Sequence, residues 1–317
     1  MNTVIVTGGA GFIGSNFVAL LLEKKYKVVC IDNFDDTYDP SLKESNIQGF
    51  LKNPDFVLER VDIRDIEGLK KIFKNHAPKF VVHLAAKADT RDAVKTPQTY
   101  TSINIDGTLN ILECAREFPL TNLVIASSSS VYGNSSRTPW KEEESADRPL
   151  SPYGATKRAT ELLAYTYHHN FGMNVTCLRF FNAYGENNRP NMVPYKWADA
   201  LLKDREIELS GDGTRKRDYT YVGDIAEGTL RAMEKPLGFE ILNLGNKNPI
   251  SLNELLAVFE NKIGKKAQVR KRESHSASVE ITFADISKAK KLLDWEPKVS
   301  IEEGISKLVD WFRNNRL

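Results

Sequence analysis

The sequence has few cysteines and almost no excess of charge of either sign. Its three cysteines, Cys30, Cys114 and Cys177, are odd in number and widely spaced, which argues against a disulfide framework or a zinc cluster and indicates reduced thiols in the core. The 44 lysines and arginines nearly balance the 42 aspartates and glutamates, giving a net charge of +2. Binding to nucleic acid through bulk charge is therefore excluded, although a local basic patch is not.

Long apolar runs are also missing. The first residues, MNTVIVTGG, lack the basic stretch, apolar run and cleavage site of a secretion signal, and no segment approaches the roughly 18 apolar residues of a membrane span. With 41% hydrophobic and 27% charged residues, the composition is that of an ordinary globular protein. We therefore expect a cytoplasmic protein without nucleic-acid or membrane partners, and the sequence suggests no metal site.

Short β-branched runs alternate with stretches of helical periodicity through the first 181 residues. Buried strands are predicted at Asn2–Thr7, Lys27–Asp32, Asp55–Val61, Lys79–Leu84, Asn122–Ser127 and Asn174–Phe181. Helices are predicted at Gly11–Lys25, Ile66–Asn75, Tyr100–Phe118 and Pro152–Asn170. Because strands joined by such helices form parallel sheets with right-handed crossovers, the predicted fold class is α/β with a Rossmann-type doubly wound parallel sheet.

The rhythm changes after about residue 181, where prolines and the glycines of SGDGT interrupt the pattern. Later helices are predicted at Val222–Glu234, Leu252–Ile263, Asp285–Leu293 and Ile301–Asn315. We therefore place a boundary there, with residues 1–181 forming the larger domain and residues 182–317 forming a smaller, mixed α/β lobe.

A glycine-rich turn, Thr7–Gly14 (TGGAGFIG), joins the first strand to the first helix. Gly8 would allow a tight turn, Gly11 a close approach of backbone to a pyrophosphate, and Gly14 close packing of the helix. The free N–H groups at the start of that helix attract phosphates. Asp32 ends the second strand, where a carboxylate accepts hydrogen bonds from the adenosine ribose and repels a 2′-phosphate. The pattern predicts NAD rather than NADP, against the alternative of a structural turn with a surface aspartate.

Two further strand ends are candidates for contact with the coenzyme. Asp62 and Ile63 follow the third strand and could flank the adenine, although Asp62 could equally be an ordinary loop acid. Leu84, Ala85 and Ala86 end the fourth strand with small residues, as a backbone lying against a coenzyme requires.

Tyrosine and lysine occur four residues apart in YGATK, as Tyr153 and Lys157, at the start of a predicted helix. The two side chains share one helix face. A phenol with its usual pKa of about 10 is a poor base at neutral pH, but a nearby ammonium group and the positive nicotinamide ring of NAD⁺ favour the phenolate. Tyr153 could then accept a proton from a substrate hydroxyl while a hydride leaves the same carbon. Lys157 could also bind the nicotinamide ribose, whereas the alternative is a helix-surface pair.

A run of four serines, Ser127–Ser130, closes the fifth strand at the end of the sheet where α/β proteins bind ligands. A hydroxyl there can share the proton of the substrate and orient it for Tyr153. The candidate coenzyme-binding residues are Gly8, Gly11, Phe12, Ile13, Gly14, Asp32, Asn33, Asp62, Ile63, Leu84, Ala85, Ala86, Tyr153 and Lys157.

Five motifs, TGGAGFIG, SSSSVYG, YGATK, RFFNAYG and RDYTYVGD, together resemble the extended short-chain dehydrogenase/reductase superfamily and, within it, the NAD-dependent nucleotide-sugar epimerases and dehydratases. The resemblance covers nearly the whole chain. It implies a Rossmann domain that holds NAD tightly, a C-terminal lobe that binds a nucleoside diphosphate sugar, and a return of residues 222–244 to the coenzyme sheet. It also implies a homodimer packed through helices 100–118 and 152–170, which could instead cover the sheet of a monomer.

The resemblance implies roles for individual residues. Tyr153 would be the catalytic base, Lys157 its tuning and ribose-binding partner, and Ser128 the hydroxyl helper. Candidate substrate-binding residues are Ser128, Ser130, Arg91, Asn182, Arg189, Asn191, Met192, Val193, Arg217 and Arg272. Asn182 would contact the sugar diphosphate, and residues 191–193 would lie beside the nucleotide base. Arg217 would contact the ribose and phosphates.

The residues after the hydroxyl helper bear on the reaction. Family dehydratases carry an Asp-Glu pair there to handle the protons of water elimination, and family decarboxylases usually keep a glutamate at the second position. This chain has Ser129 and Ser130 instead. The resemblance therefore favours oxidation at C4, rotation of the 4-keto sugar and return of hydride to its other face, which is a UDP-sugar 4-epimerase, an isomerase. A dehydratase, decarboxylase or reductase of the family, and a non-catalytic NAD-binding regulatory protein, are the alternatives.

The identity of the sugar stays open at this point. The segments DNFDDTYDPSLK and AAKADTR are similar to those of UDP-glucuronate 4-epimerases, in which Arg91 and Arg189 would lie near the sugar or its carboxylate; the alternative is that both are surface arginines. Asn182, however, is the residue of UDP-glucose 4-epimerases, where the glucuronate branch typically has threonine. Thr282 occupies the gatekeeper position of the family, and its small side chain leaves room for an N-acetyl or carboxyl group.

One segment departs from the family pattern. Many members carry Arg-x-Gly-Asp before the Ala-Asp pair, with the arginine on the diphosphate, but residues 270–278 read RKRESHSAS. Arg272 could replace this clamp, or the stretch could be a solvated basic turn.

Overall fold

The structure, a computed structural model, describes residues 2–273 and 279–316. The strands are β1 (Thr3–Thr7), β2 (Lys27–Ile31), β3 (Phe56–Glu59), β4 (Phe80–His83), β5 (Asn122–Ser128), β6 (Val175–Phe180), β7 (Asn182–Tyr184), β8 (Ile207–Ser210), β9 (Lys216–Arg217), β10 (Tyr219–Tyr221), β11 (Phe239–Leu244), β12 (Ile250–Ser251) and β13 (Val269–Arg272). The helices are α1 (Phe12–Glu23), α2 (Pro40–Ile47), α3 (Ile66–His76), α4 (Thr90–Lys95), α5 (Pro97–Thr101), α6 (Gly107–Arg116), α7 (Pro152–Phe171), α8 (Val193–Leu202), α9 (Val222–Glu234), α10 (Leu252–Ile263), α11 (Ser287–Leu293) and α12 (Ile301–Asn315).

Seven strands form one parallel sheet in the order β11-β6-β5-β4-β1-β2-β3. The chain starts at β1 and winds outward in both directions, so the order reverses between β1 and β4. Doubly wound sheets bind their ligands beyond the carboxyl ends of the strands at such a reversal. The predicted Rossmann-type fold class is confirmed.

Alternating side chains bury both faces of the sheet, as the runs of valine and isoleucine predict. On one face Val4 and Val6 pack with α1 and α9. On the other face Ile5 packs with α3, α6 and α7. The sheet is thus the middle layer of three, and its strand ends are held firmly from both sides.

Two segments from the second half of the chain join this sheet. Helix α9 packs on α1, and β11 pairs with β6 at the edge of the sheet. Residues 284–295, which include α11, pack on the same face, where the indole of Trp295 donates a hydrogen bond of 3.0 Å to the carbonyl oxygen of Asp224. The division at residue 181 does not include this second return, because nothing in a short helix such as α11 marks the surface on which it packs.

The smaller lobe has its own core. Helices α8, α10 and α12 enclose Trp197, Phe259 and Phe312, all buried. Three two-stranded sheets, β10-β7, β12-β9 and β13-β8, connect this lobe to the edge of the cleft. The sequence pattern missed α8 because Pro194 looked like a break. In the structure Pro194 lies in the first turn of the helix, where its missing N–H has no intrahelical partner to lose.

The predicted helix 100–118 is composite. It consists of α5, a π-helical turn at Ser102–Asp106, and α6. The three cysteines are buried and unpaired, as predicted. Among residues 2–273 and 279–316 no helix is long and apolar enough to cross a membrane.

Candidate active site

A cleft of about 530 Å³ lies beyond the carboxyl ends of the strands, between the sheet and the smaller lobe. Every coenzyme-binding, catalytic and substrate-binding residue selected from the sequence lines it. The cleft is also lined by residues that the sequence did not single out, and these are Asp35, Thr37, Tyr38, Lys43, Lys87, Trp140 and Arg215 among others. The selected residues therefore meet at one site, although they come from both halves of the chain.

The glycine-rich turn is folded tightly against the end of β4. Gly8 has a φ of +69°, and a Cβ added to it would lie 2.8 Å from the backbone nitrogen of Ala85. A Cβ on Gly14 would lie only 2.0 Å from the carbonyl oxygen of Gly8. Both positions exclude a side chain, so the backbone itself forms this wall of the cleft. The N-terminus of α1 opens onto the same wall at Gly11.

Asp32 lies at the end of β2, nearly buried. Its carboxylate accepts hydrogen bonds from the backbone N–H groups of Ala10 (3.1 Å) and Phe34 (2.9 Å), and the ammonium group of Lys43 lies 3.9 Å away. Burial raises the pKa of Asp32, while Lys43 and the two N–H groups act in the opposite direction. Lys43 was missed by sequence analysis. Its only signal was its place in DNFDDTYDPSLK, the segment similar to UDP-glucuronate 4-epimerases.

The carboxylate of Asp62 is well engaged within the protein. Arg64 pairs with it at 2.8 Å, and the side-chain amide of Asn33 donates to it at 2.9 Å. The hydrogen bonds from Arg64 are the main reason that the pKa of Asp62 falls to about 2. Asp62 therefore stays ionised, and Asn33 is held beside it at the far end of the cleft from Tyr153.

Ser128, Tyr153 and Arg189 meet at the other end. The hydroxyl oxygen of Ser128 accepts a hydrogen bond of 3.1 Å from the N–H of Ser130 and is also hydrogen-bonded to the phenol of Tyr153. Burial raises the pKa of Tyr153, and the Ser128 hydroxyl and the Arg189 guanidinium oppose that rise. The phenol of Tyr153 thus lies next to the Ser128 hydroxyl and within the electrostatic influence of Arg189.

Lys157 lies one helical turn beyond Tyr153 and is buried. Its ammonium group donates a hydrogen bond of 2.7 Å to the carbonyl oxygen of Ala126, and burial lowers its pKa to about 8. The sequence analysis expected Lys157 to favour the phenolate. In the structure the Ser128 hydroxyl and the Arg189 guanidinium oppose the rise in the pKa of Tyr153, and the Lys157 ammonium donates to the strand backbone. The tuning role of Lys157 stays a prediction, and so does its contact with the nicotinamide ribose.

A buried ionic network lies directly behind these residues. Glu161 receives two hydrogen bonds from Arg179, at 2.8 and 2.9 Å, and one from the hydroxyl of Ser127 at 2.6 Å. The carboxylate and the Arg179 guanidinium are both fully buried, and Arg158 pairs with Glu161 at 2.9 Å. The network ties α7 to β5 and β6, so it fixes Tyr153 relative to Ser128. The available signals were an acid one turn after Lys157 and an arginine inside an apolar strand.

Thr282 and Asn182 form a hydrogen-bonded pair at the sugar end. The hydroxyl oxygen of Thr282 accepts from the N–H of Asp218 at 2.9 Å and lies 3.1 Å from the side-chain carbonyl oxygen of Asn182. Because the hydroxyl already accepts from the main chain, its proton goes to Asn182. The amide NH₂ of Asn182 is then left to face the cleft. Thr282 therefore orients Asn182 as well as leaving space.

The structure separates the two arginines that were predicted near the sugar. The charge of the Arg189 guanidinium opposes the rise in the pKa of Tyr153. The same group donates a hydrogen bond of 2.7 Å to the carbonyl oxygen of Ala88. Arg91 is exposed and, with Asn191 and Val193, also lines a smaller cavity of about 160 Å³ between α8 and β8. Both arginines line the cleft, and the charge of Arg189 is the one that opposes the rise in the pKa of Tyr153.

Arginines of the smaller lobe form one side of the cleft. Arg217, which was predicted, lines it together with Arg215, which was not. Arg272, at the end of β13, is exposed and lies 3.9 Å from a carboxylate oxygen of Glu208. The rest of the departing stretch, residues 274–278, lies outside the described residues.

The sequence matches the GDP-mannose 4,6 dehydratase family over residues 5–308. The chain belongs to this family. The resemblance to the extended short-chain dehydrogenases/reductases is thereby confirmed. A UDP-glucuronate 4-epimerase of Thermodesulfobacterium geofontis is 44% identical to this chain over 316 residues, which cover 99% of this chain and 97% of that one.

Two solved structures of the family show the same fold. UDP-glucuronic acid 4-epimerase from Bacillus cereus, solved with UDP-glucuronic acid and NAD, is 36% identical with a TM-score of 0.93, over 98% of this chain and 99% of that one. UDP-glucose 4-epimerase from Thermotoga maritima, solved with UDP-glucose, is 32% identical with a TM-score of 0.91, over 98% and 99% of the two chains. Both are sugar-nucleotide epimerases, which is the reaction class predicted from the sequence.

Proposed function

We propose that this protein is an NAD-dependent UDP-sugar 4-epimerase and that its substrate is UDP-glucuronate. The observation that carries the proposal is the make-up of the reacting end of the cleft. A hydrogen bond with Ser128 and the charge of Arg189 both oppose the rise in the pKa of Tyr153, and the positions after Ser128 are the neutral Ser129 and Ser130. The described carboxylates that line the cleft are Asp32, Asp35, Asp62 and Asp89, and none of them follows Ser128.

The residues present fit NAD. The side-chain-free turn at Gly8 and Gly14 admits a pyrophosphate against backbone N–H groups at the start of α1. Asp32, at the end of β2, would accept hydrogen bonds from the adenosine ribose hydroxyls, and its negative charge would disfavour a 2′-phosphate. When bound, NAD⁺ supplies the acceptor and later the donor of a hydride. The relative from Bacillus cereus binds NAD.

The chain's own residues handle the proton. The Tyr153 phenolate takes the proton of the sugar 4-hydroxyl while hydride leaves C4, and the hydroxyl of Ser128 holds that oxygen in place. A carbonyl forms at C4, the sugar turns over in the cleft, and hydride returns to the opposite face as Tyr153 gives its proton back. Burial raises the pKa of Tyr153 in the protein alone. Ionisation therefore depends on positive charge in the filled cleft, with Arg189 contributing.

Three features favour a glucuronate over a neutral hexose. Arg189 offers a positive charge at the reacting end, where a C6 carboxylate would lie close to C4. Thr282 leaves room for the carboxylate. Relatives that are 44% and 36% identical are named as UDP-glucuronate 4-epimerases. Asn182, which resembles the UDP-glucose enzymes, is compatible because Thr282 turns its NH₂ donors toward the substrate.

We further propose that the two parts of the chain bind different ligands. We also propose that the protein is a cytoplasmic homodimer. Residues 1–181 with 222–244 would hold NAD, and residues 182–317 would hold the nucleotide sugar, with its base at the cavity lined by Asn191 and Val193. Helices α6 and α7 would form the dimer contact. Leu162 and Tyr165 of α7 support this, since they are 53% and 50% exposed although apolar.

The decisive experiment is product analysis with purified protein. UDP-glucuronate, UDP-glucose and UDP-N-acetylglucosamine are incubated separately, and the 4-epimers are resolved by chromatography. We expect UDP-galacturonate from UDP-glucuronate, approached from both directions, with no net NADH. A stable 4-keto sugar or release of CO₂ would instead identify the dehydratase or decarboxylase alternative. No turnover of any nucleotide sugar would favour the regulatory alternative.

A further inference from the structure

Arg215 has a place in the cleft that the sequence did not reveal. Residues 215 and 217 are both partly buried and both line the cleft, whereas Lys216 between them is exposed and is not among the lining residues. This alternation is typical of a strand, in which successive side chains point to opposite sides. It covers β9 and the residue before it, Arg215. Arg215 and Arg217 therefore present two guanidinium groups to the same space.

The guanidinium of Arg215 is only half satisfied. Its Nη2 lies 3.2 Å from a carboxylate oxygen of Glu280. Its Nη1 is buried and has no hydrogen-bond partner among the described residues. A buried donor on a charged group is costly without a partner, so a folded protein rarely keeps one unless a ligand or water completes it.

The two guanidinium groups also repel each other. Burial lowers the pKa of Arg217, and the charge of Arg215 lowers it further. Glu280 contacts both groups. Its carboxylate pairs with Arg215, and its main-chain carbonyl oxygen accepts a hydrogen bond of 3.3 Å from Arg217. Its side chain is 75% exposed, so solvent screens its charge. The buried Nη1 of Arg215 is therefore a charged donor on this wall of the cleft that an anion would complete.

Resting on the proposed function, we propose that Arg215 binds the diphosphate of the nucleotide sugar, together with Arg217, in place of the arginine of the absent Arg-x-Gly-Asp segment. A diphosphate presents several acceptor oxygens, which planar guanidinium groups bind in pairs. Arg272 is the less suitable replacement, because it is exposed and lies near the carboxylate of Glu208. Arg215 is then a substrate-binding residue that the family pattern does not supply.

The test compares Arg215→Gln with Lys216→Gln. The control removes the same charge from the adjacent residue, whose side chain points away from the cleft. Titration calorimetry measures the affinity of each variant for UDP and for uridine, which lacks phosphate. We expect Arg215→Gln to weaken UDP binding at least tenfold and to leave uridine binding unchanged. Its UDP affinity should also fall less steeply with added salt, while Lys216→Gln stays within twofold of the parent for both ligands.

Two results would overturn the assignment of Arg215. One is UDP affinity within twofold of the parent, and the other is an equal loss of uridine affinity, which would indicate a structural role. If Arg215→Gln does not fold, Arg215→Lys decides, because it keeps the charge but not the paired donors. It should weaken UDP binding at least threefold and spare uridine; otherwise the assignment is wrong. Failure of the unaltered protein to bind UDP would count against the proposed function instead.

Discussion

One side of the cleft is formed by main chain and the other by charged side chains. At the glycine-rich turn the wall of the cleft is the backbone at Gly8 and Gly14. On the substrate side it consists of partly exposed side chains of Arg189, Arg215 and others on loops and short strands. A backbone wall cannot change without refolding, whereas a charged side chain can be exchanged at a small cost.

The same contrast appears in two buried carboxylates. Glu161, behind Tyr153, is paired with Arg179, so its pKa falls below the usual value despite burial. Asp218, where β9 and β10 join, accepts from the N–H groups of Ala284 and Asn246 at 2.9 and 2.6 Å. No described cation pairs with it, and burial raises its pKa to about 6. Glu161 is therefore held by an ion pair, whereas Asp218 is held by hydrogen bonds from the main chain.

The largest expected effect is on the coenzyme side, at the base. Replacing Tyr153 by Phe removes the proton acceptor and should lower kcat by about 10²–10⁴-fold, the range for loss of a general base. Product formation from UDP-glucuronate measures it. The control is Tyr26→Phe, a change at a partly exposed tyrosine outside the cleft whose hydroxyl donates to Glu234, and it should leave kcat unchanged. Equal activity of the two variants would contradict the role of Tyr153.

The next effect tests the buried ion pair. Glu161→Ala leaves Arg179 buried without its partner and should reduce the free energy of unfolding by about 3–5 kcal/mol. Urea unfolding followed by circular dichroism measures it. The matched control is Glu303→Ala, which breaks the half-exposed pair with Lys307 and should cost about 0–1 kcal/mol. Similar losses for both would remove the distinction between the two regions.

The contribution of Asp218 to the free energy of unfolding should decrease as the pH rises. Its pKa is about 6 in the folded protein and 3.8 ordinarily, so the protonated form is favoured by folding. Its contribution to stability is full below pH 3.8 and is lost as the pH rises through 6. At about 1.4 kcal/mol per pKa unit the loss is about 3 kcal/mol. Unfolding free energies of the parent minus those of Asp218→Asn, measured from pH 4 to 7, should show this slope, and a flat difference would contradict it.

The smallest expected effect is on substrate binding and tests whether Arg189 selects the carboxylate of the sugar. Arg189→Gln removes a charge-assisted hydrogen bond and should weaken UDP-glucuronate binding by about 1.5–3 kcal/mol, which is roughly 10- to 150-fold. UDP-glucose binding, measured by the same calorimetry, should change much less. Arg137→Gln is the control, because Arg137 is exposed and is not among the residues that line the cleft or the smaller cavity. Equal losses for both sugars would show that Arg189 does not select the carboxylate.

Local sequence patterns predicted those features whose residues lie close together along the chain. The turn at Gly8 and Gly14, the Tyr153–Lys157 spacing and the serines after β5 each lie within a single strand–turn–helix unit. The parallel sheet then follows from the alternation of strands and helices, and it brings all strand ends to one edge. The family, the fold class and the lining of the cleft were accordingly within reach of the sequence.

Tertiary packing alone decided the rest, because the partners are far apart in the chain. Glu161 meets Arg179 and Thr282 meets Asn182 only after β6 and β7 are placed. Arg215 gains its position from the pairing of β9 with a strand more than thirty residues later. The sequence by itself determined which chemistry the cleft carries, since that chemistry is written in short motifs. The structure decided which charged side chains face the substrate, since burial and long-range contacts fix that choice.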